Sequence, residues 1–178
     1  MTRKLLTSIA VVGVVGALSG FGTYSAFSAT TSDGGNSMQA GTVSITDDHT
    51  ASSMLALTNA KPGDTTTGCV KVTYTGSLPA DVRMYATPTG ALAPYLDVTI
   101  NRGTGGSYPS CTGFTAQATT FTGTLATLPA SWSAATSESW VQGEAHSYQV
   151  AVTLDANAPA SAQGTSAGVS FTWEARNQ

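Results

Sequence analysis

Val70-Lys71-Val72-Thr73-Tyr74-Thr75 decides the fold. Val70, Val72 and Tyr74 are apolar and the residues between them polar, and a strand turns successive side chains to opposite faces, so this stretch reads as a strand with one dry and one wet face. The same two-residue rhythm recurs at Leu96, Val98 and Ile100, at Tyr148, Val150, Val152 and Leu154, and at Val169, Phe171 and Trp173. Shorter candidates lie at residues 43–45, 54–57, 82–85 and 114–121, set apart by turn-forming pieces such as Lys61-Pro62-Gly63-Asp64 and Gly103-Thr104-Gly105-Gly106. Eight short strands predict an all-β antiparallel sandwich. Residues 125–135, which contain Pro129 and Trp132, are expected to hold either a turn of helix or an ordered loop.

Composition agrees with strands. The chain has 178 residues, of which 41% are hydrophobic and only 10% are Asp, Glu, Lys or Arg, against about 25% in an average soluble domain. A core is affordable, and charge-driven disorder is excluded. Nineteen Gly and seven Pro would interrupt long helices repeatedly. Seven basic against ten acidic residues give a net charge of -3, so the basic footprint that grips phosphates is missing and nucleic acid is not an expected partner.

The chain opens as an export signal. Thr2-Arg3-Lys4 is a short basic start, and residues 5–22 carry no charge. The expected cut falls after Ser25, with Thr23 and Ser25 as the small pair and Ala26 as the new N-terminus; a cut nearer Ala29 is the rival. An uncleaved anchor is the other alternative, because the uncharged run approaches the length of a membrane span, although Gly and Ser dilute its hydrophobicity. The organisation expected is therefore a signal peptide at 1–25, expected to be helical, a leader at 26–40 and one sandwich domain at 41–178. Cleavage leaves five basic side chains against ten acidic ones and no stable membrane anchor.

Export makes the cysteines interpretable. Cys69 and Cys111 would meet an oxidising exterior, where an even count points to a bridge; two free buried thiols are the alternative. Gly63-Asp64 precedes Val70, Val72 and Tyr74 by the same steps that separate Gly143-Glu144 from Val150, Val152 and Leu154. Equivalent strands in the two halves of the sandwich, each launched by a turn whose acid accepts backbone N–H bonds, would explain this, and so would chance.

Gly22-Thr23-Tyr24-Ser25-Ala26-Phe27, followed by Met38-Gln39-Ala40-Gly41-Thr42-Val43-Ser44-Ile45, resembles the start of the TasA/camelysin family. Leu57-Thr58-Asn59-Ala60-Lys61-Pro62-Gly63-Asp64 and Tyr74-Thr75-Gly76-Ser77-Leu78-Pro79-Ala80-Asp81-Val82 are similar to its next motifs, and Val169-Ser170-Phe171-Thr172-Trp173-Glu174-Ala175 to its last strand. Residues 90–140 match no motif of it. The resemblance implies a jelly-roll sandwich, secreted by a Gram-positive type of cell, that assembles into surface fibres or biofilm matrix. It implies assembly by strand donation, in which the freed leader completes a sheet of the next subunit; here Phe27 is the donor anchor, and the polar run Ser28-Ala29-Thr30-Thr31-Ser32 beyond it is a weak donor strand. The partners expected are other copies of the chain and the signal peptidase that makes the cut.

Two other function classes remain. Some members of the family are described as metalloendopeptidases, but this chain has only His49 and His146 and no HExxH. Glu144 with His146, and Asp47-Asp48-His49, are the sole pieces from which a metal site is conceivable; their plain reading is a turn acid, a strand residue and solvated loop acids. No catalytic residue, metal or cofactor is expected. A monomeric surface-binding module would use Trp132, Trp140, Tyr108 and Tyr95 as a sugar platform, although core filling explains them as well. Trp173 alternates with Val169 and Phe171, which predicts its burial.

Overall fold

The structure, a computed structural model, describes residues 39–50 and 53–178. The expected signal peptide, its cleavage pair Ser25 and Ala26, and the donor anchor Phe27 lie outside them. Residues Ala40–Gln178 form one compact unit. It contains eight strands, β1 (Ile45–Asp47), β2 (Thr65–Tyr74), β3 (Ala80–Thr89), β4 (Leu96–Thr104), β5 (Thr115–Thr124), β6 (Ser137–Trp140), β7 (Ala145–Leu154) and β8 (Gly168–Asn177), joined among the described residues by turns and single 3-10 turns. Every pairing is antiparallel. A five-stranded sheet runs β1-β2-β7-β4-β5 and a three-stranded sheet runs β6-β3-β8.

Alternation built these faces as the sequence predicts. Val70, Val72 and Tyr74 of β2, Val98 and Ile100 of β4, and Val150 and Val152 of β7 are buried in one core, facing Ala80, Val82 and Ala86 of β3. Trp140 closes one end of that core, fully buried, with its indole N–H donating to Glu138 at 3.3 Å.

The opposite face of the larger sheet is partly roofed. Residues 105–114, between β4 and β5, fold back over it, which is why Cys69 and Ser147, both turned away from the core, are only 0% and 3% exposed. A Cys69–Cys111 disulfide pins the loop, with a Cα–Cα distance of 5.2 Å, and Ser147 Oγ donates to the Gly106 carbonyl at 2.9 Å. Asp48, expected as a solvated acid, is structural: its carboxylate accepts the Lys71 N–H at 2.8 Å and the Tyr108 N–H at 3.0 Å, tying strand edge to loop.

The repeated turn is also real. Lys61 N–H donates to Asp64 Oδ2 at 2.8 Å and Val141 N–H to Glu144 Oε2 at 3.0 Å, so each acid closes its own turn. Gly63 N–H bonds the Leu154 carbonyl and Leu154 N–H the Asp64 carbonyl; Gly143 N–H bonds the Tyr74 carbonyl and Tyr74 N–H the Glu144 carbonyl. The strands they launch, β2 and β7, are neighbours in one sheet rather than counterparts in two.

One local expectation fails, and one strand was not foreseen. Residues 54–57 form no strand, because no backbone bond joins them to a neighbouring strand among the described residues. Ser137–Trp140, too short and too polar to show a rhythm, is one. Residues 125–135 hold two 3-10 turns, Leu125–Thr127 and Trp132–Ala134.

Candidate functional site

The pairings nest: β4 lies against β5, β3 against β6, and β2 against β7. A rolled-up eight-stranded sheet completes that series with a pair of first and last strands. Here that pair is missing, since β1 adds three residues to β2 instead, and β8 ends the smaller sheet with its outer edge unmatched by any described strand.

A sheet of three strands facing one of five leaves the sandwich open at its sides. Beside β8 the opening is an apolar groove of about 580 Å³, whose walls include Val169, Phe171 and Trp173 of β8, Val152 of β7, and Met54 and Leu57 of the strand-free segment. Trp173, predicted to be buried, is only half-buried, as are Val169 and Phe171. The alternation is as expected; what would cover it is one strand short.

Edges differ in how they resist pairing, and short length, charge and bulges are the usual devices. β1 has three residues and ends in Asp47; β6 has four and carries Glu138. β5 is long, and no charged residue occurs between Arg102 and Glu138, but two register shifts against β4 distort it. β8 pairs with β3 over ten residues without a shift, so its outer edge is regular. Of the four edges among the described strands, β8 is the longest regular one, with its charged residues, Glu174 and Arg176, confined to its last third.

The polar groups singled out from sequence fall elsewhere. Glu144 Oε1 meets His146 Nε2 at 2.9 Å, and the imidazole stands edge-on to Trp140 with ring centroids 4.7 Å apart. Desolvation pushes the Glu144 carboxyl up, but the Val141 N–H, His146 and Arg102 together outweigh it and hold the carboxyl below its ordinary value of 4.5. Arg102 itself pairs with Glu138 at 2.8 Å. Desolvation and the Glu138 charge raise the Tyr148 phenol far above its usual range. Asp47 Oδ1 accepts the His49 N–H, and the His49 ring stands edge-on to Tyr108.

The proposed sugar platform is dispersed in setting. Trp140 is core, Tyr108 sits in the disulfide-pinned loop, and Tyr95 ends the 3-10 turn that leads into β4. Trp132 is stacked against two guanidinium groups, Arg83 at 4.7 Å and Arg176 at 4.3 Å. Arg83 also donates to the Trp132 carbonyl, so these contacts hold the 125–136 connection to the smaller sheet.

No curated protein matches the chain. Residues 1–89 match the family described as camelysin metallo-endopeptidase, a span that takes in β1, the strand-free segment, β2 and β3. A catalytic zinc needs three protein ligands and an open position. Among the described residues no group of three or more His, Cys, Asp or Glu is placed to hold a metal, and the nearest approach, Glu144 with His146, is two donors turned on each other. The donor set therefore does not fit a zinc centre, and the half of the chain that matches contributes His49 but neither Glu144 nor His146. By that match, which covers half its length, the chain belongs to the camelysin family.

Proposed function

We propose that this protein is a secreted structural subunit that builds extracellular surface fibres or biofilm matrix by donating its N-terminal leader to the next copy. The observation that carries this is the regular edge of β8, paired with no described strand, above an apolar groove, at the place where the described strands of the rolled topology lack a first member. An extended leader entering there would gain backbone bonds along β8 and set alternate side chains against Phe171 and Trp173. Phe27 is the residue of the leader best suited to fill the groove. Donor and acceptor are different surfaces, so the contact is heterologous and propagates into a filament rather than closing on itself. Signal peptidase, by freeing Ala26, would act as the switch.

Negative-stain electron microscopy of residues 26–178, beside residues 41–178, tests the proposal. Filaments are expected from the longer form alone, and Phe27→Asp in that form is expected to abolish them while the circular dichroism of the folded sandwich persists. Filaments from residues 41–178, or normal filaments from Phe27→Asp, would overturn strand donation.

A further inference from the structure

Residues 53–60, Ser-Met-Leu-Ala-Leu-Thr-Asn-Ala, stand in the groove beside β8 and make no use of it as a strand would. Met54, Leu55, Leu57 and Ala60 pack against the core as half-buried groups, while none of the backbone bonds of the described turns and loops starts or ends in this segment. Among the described residues its attachment is by side chains. A strand held by a backbone ladder resists removal over its whole length; a segment held by a few half-buried apolar groups opens at far lower cost.

Gly68 shows that the segment has a made seat. Gly68 lies within β2, on the core-facing side with Val70 and Val72, and glycine weakens a strand interior unless something comes close. A Cβ at Gly68 would stand 2.5 Å from the Met54 carbonyl oxygen and 2.7 Å from Met54 Cγ. The glycine is explained by Met54, whose backbone crosses the inner face of β2 there. The segment thus has a defined resting place on β2, in the wall of the groove that β8 also lines.

We propose that residues 53–60 are a removable stopper: they close off part of the groove in a free subunit and must leave it before a donor strand can pair with β8. This rests on the strand-donation reading above and adds its regulation. Removal of the stopper exposes Val169, Phe171 and Trp173 further, and only for as long as no strand is present, so the apolar seam is partly shielded in the free subunit and assembly acquires a gate. The seat at Gly68 makes the gate adjustable by single substitutions.

The test uses residues 26–178 in three forms: unchanged, Gly68→Ala, which drives Met54 off its seat, and Met54→Ser with Leu57→Ser, which weakens the hold of the segment without touching β2. Two quantities are read, the fluorescence of anilinonaphthalene sulfonate with fresh monomer and the rate of elongation of sheared filament seeds. Both variants are expected to raise dye fluorescence at least threefold and elongation about tenfold. Unchanged dye binding in both would overturn the stopper whatever the filaments do, since the groove was then not covered. Raised dye binding with slower elongation would overturn it too, by making residues 53–60 part of the floor the donor rests on. Raised dye binding with no filaments from any form would instead remove strand donation, and the gating with it, while leaving the cover over the groove established.

Discussion

At the scale of single residues, carboxylates do most of the organising that charge does here, and they do it by accepting backbone N–H groups. Asp48 takes two, Asp64 and Glu144 one each at their turns. Protonation of Glu144 works against the Val141 N–H, His146 and Arg102, which outweigh its desolvation and favour the charged form. A carboxyl whose folded value lies below its unfolded one stabilises the fold above the unfolded value, and that stability disappears as pH falls through the folded value. Glu144→Gln is therefore expected to lower stability by roughly 1 kcal/mol at neutral pH, a deficit that shrinks below pH 4.5. Thermal unfolding of both proteins at pH 7 and pH 3 measures it; an equal deficit at both would mean that shape, not charge, is what Glu144 contributes. On the outer face of the smaller sheet, Glu174 is held low by its bond to Arg176 and then by Tyr85, whose phenol is raised in return by the same carboxylate.

At the scale of elements, the loop over the larger sheet is held by covalent means. The Cys69–Cys111 bridge closes 42 positions, for which loop entropy assigns about 4 kcal/mol as an upper figure. Reduction is expected to lower the urea midpoint accordingly and to open Cys69 to alkylation, as mass spectrometry would record; a Cys69 that stays unreactive would show that the loop holds without the bridge. The long strands were legible in the sequence, since Val70-Lys71-Val72 and Gln149-Val150-Ala151 carry a pattern that burial on one face imposes. Ser137–Trp140 was not, because a four-residue edge strand owes its state to β3 and not to its own side chains. Residues 54–57 carry the apolar content of a strand and lack only a backbone partner, a property that no local stretch contains. The bare edge of β8 was equally hidden: Trp173 alternates as a buried residue should, and only the order of the sheets reveals that no described strand lies beside β8.

At the scale of the whole molecule, the two acid-closed turns allow a paired measurement. Gly63 and Gly143 have φ of +91° and +83°, and a Cβ at either would meet nothing within 4 Å. Alanine at each is therefore penalised by the left-handed backbone alone, about 1–2 kcal/mol, and the two losses are expected to be equal within the error of chemical unfolding. A much larger loss at one would mean that the turns bear different loads. The relation goes beyond the turns: Asp64 corresponds to Glu144, Val70 to Val150 and Val72 to Val152, in strands that run in opposite directions side by side. The middle of the larger sheet is thus a palindrome in space, one motif laid against its own half-turn image, about an axis through the facing pair Cys69 and Gln149. The disulfide sits on that axis. Where β2 has Cys69 the facing strand has Gln149, so the crosslink falls on one copy of the motif alone and breaks the symmetry that the two turns establish.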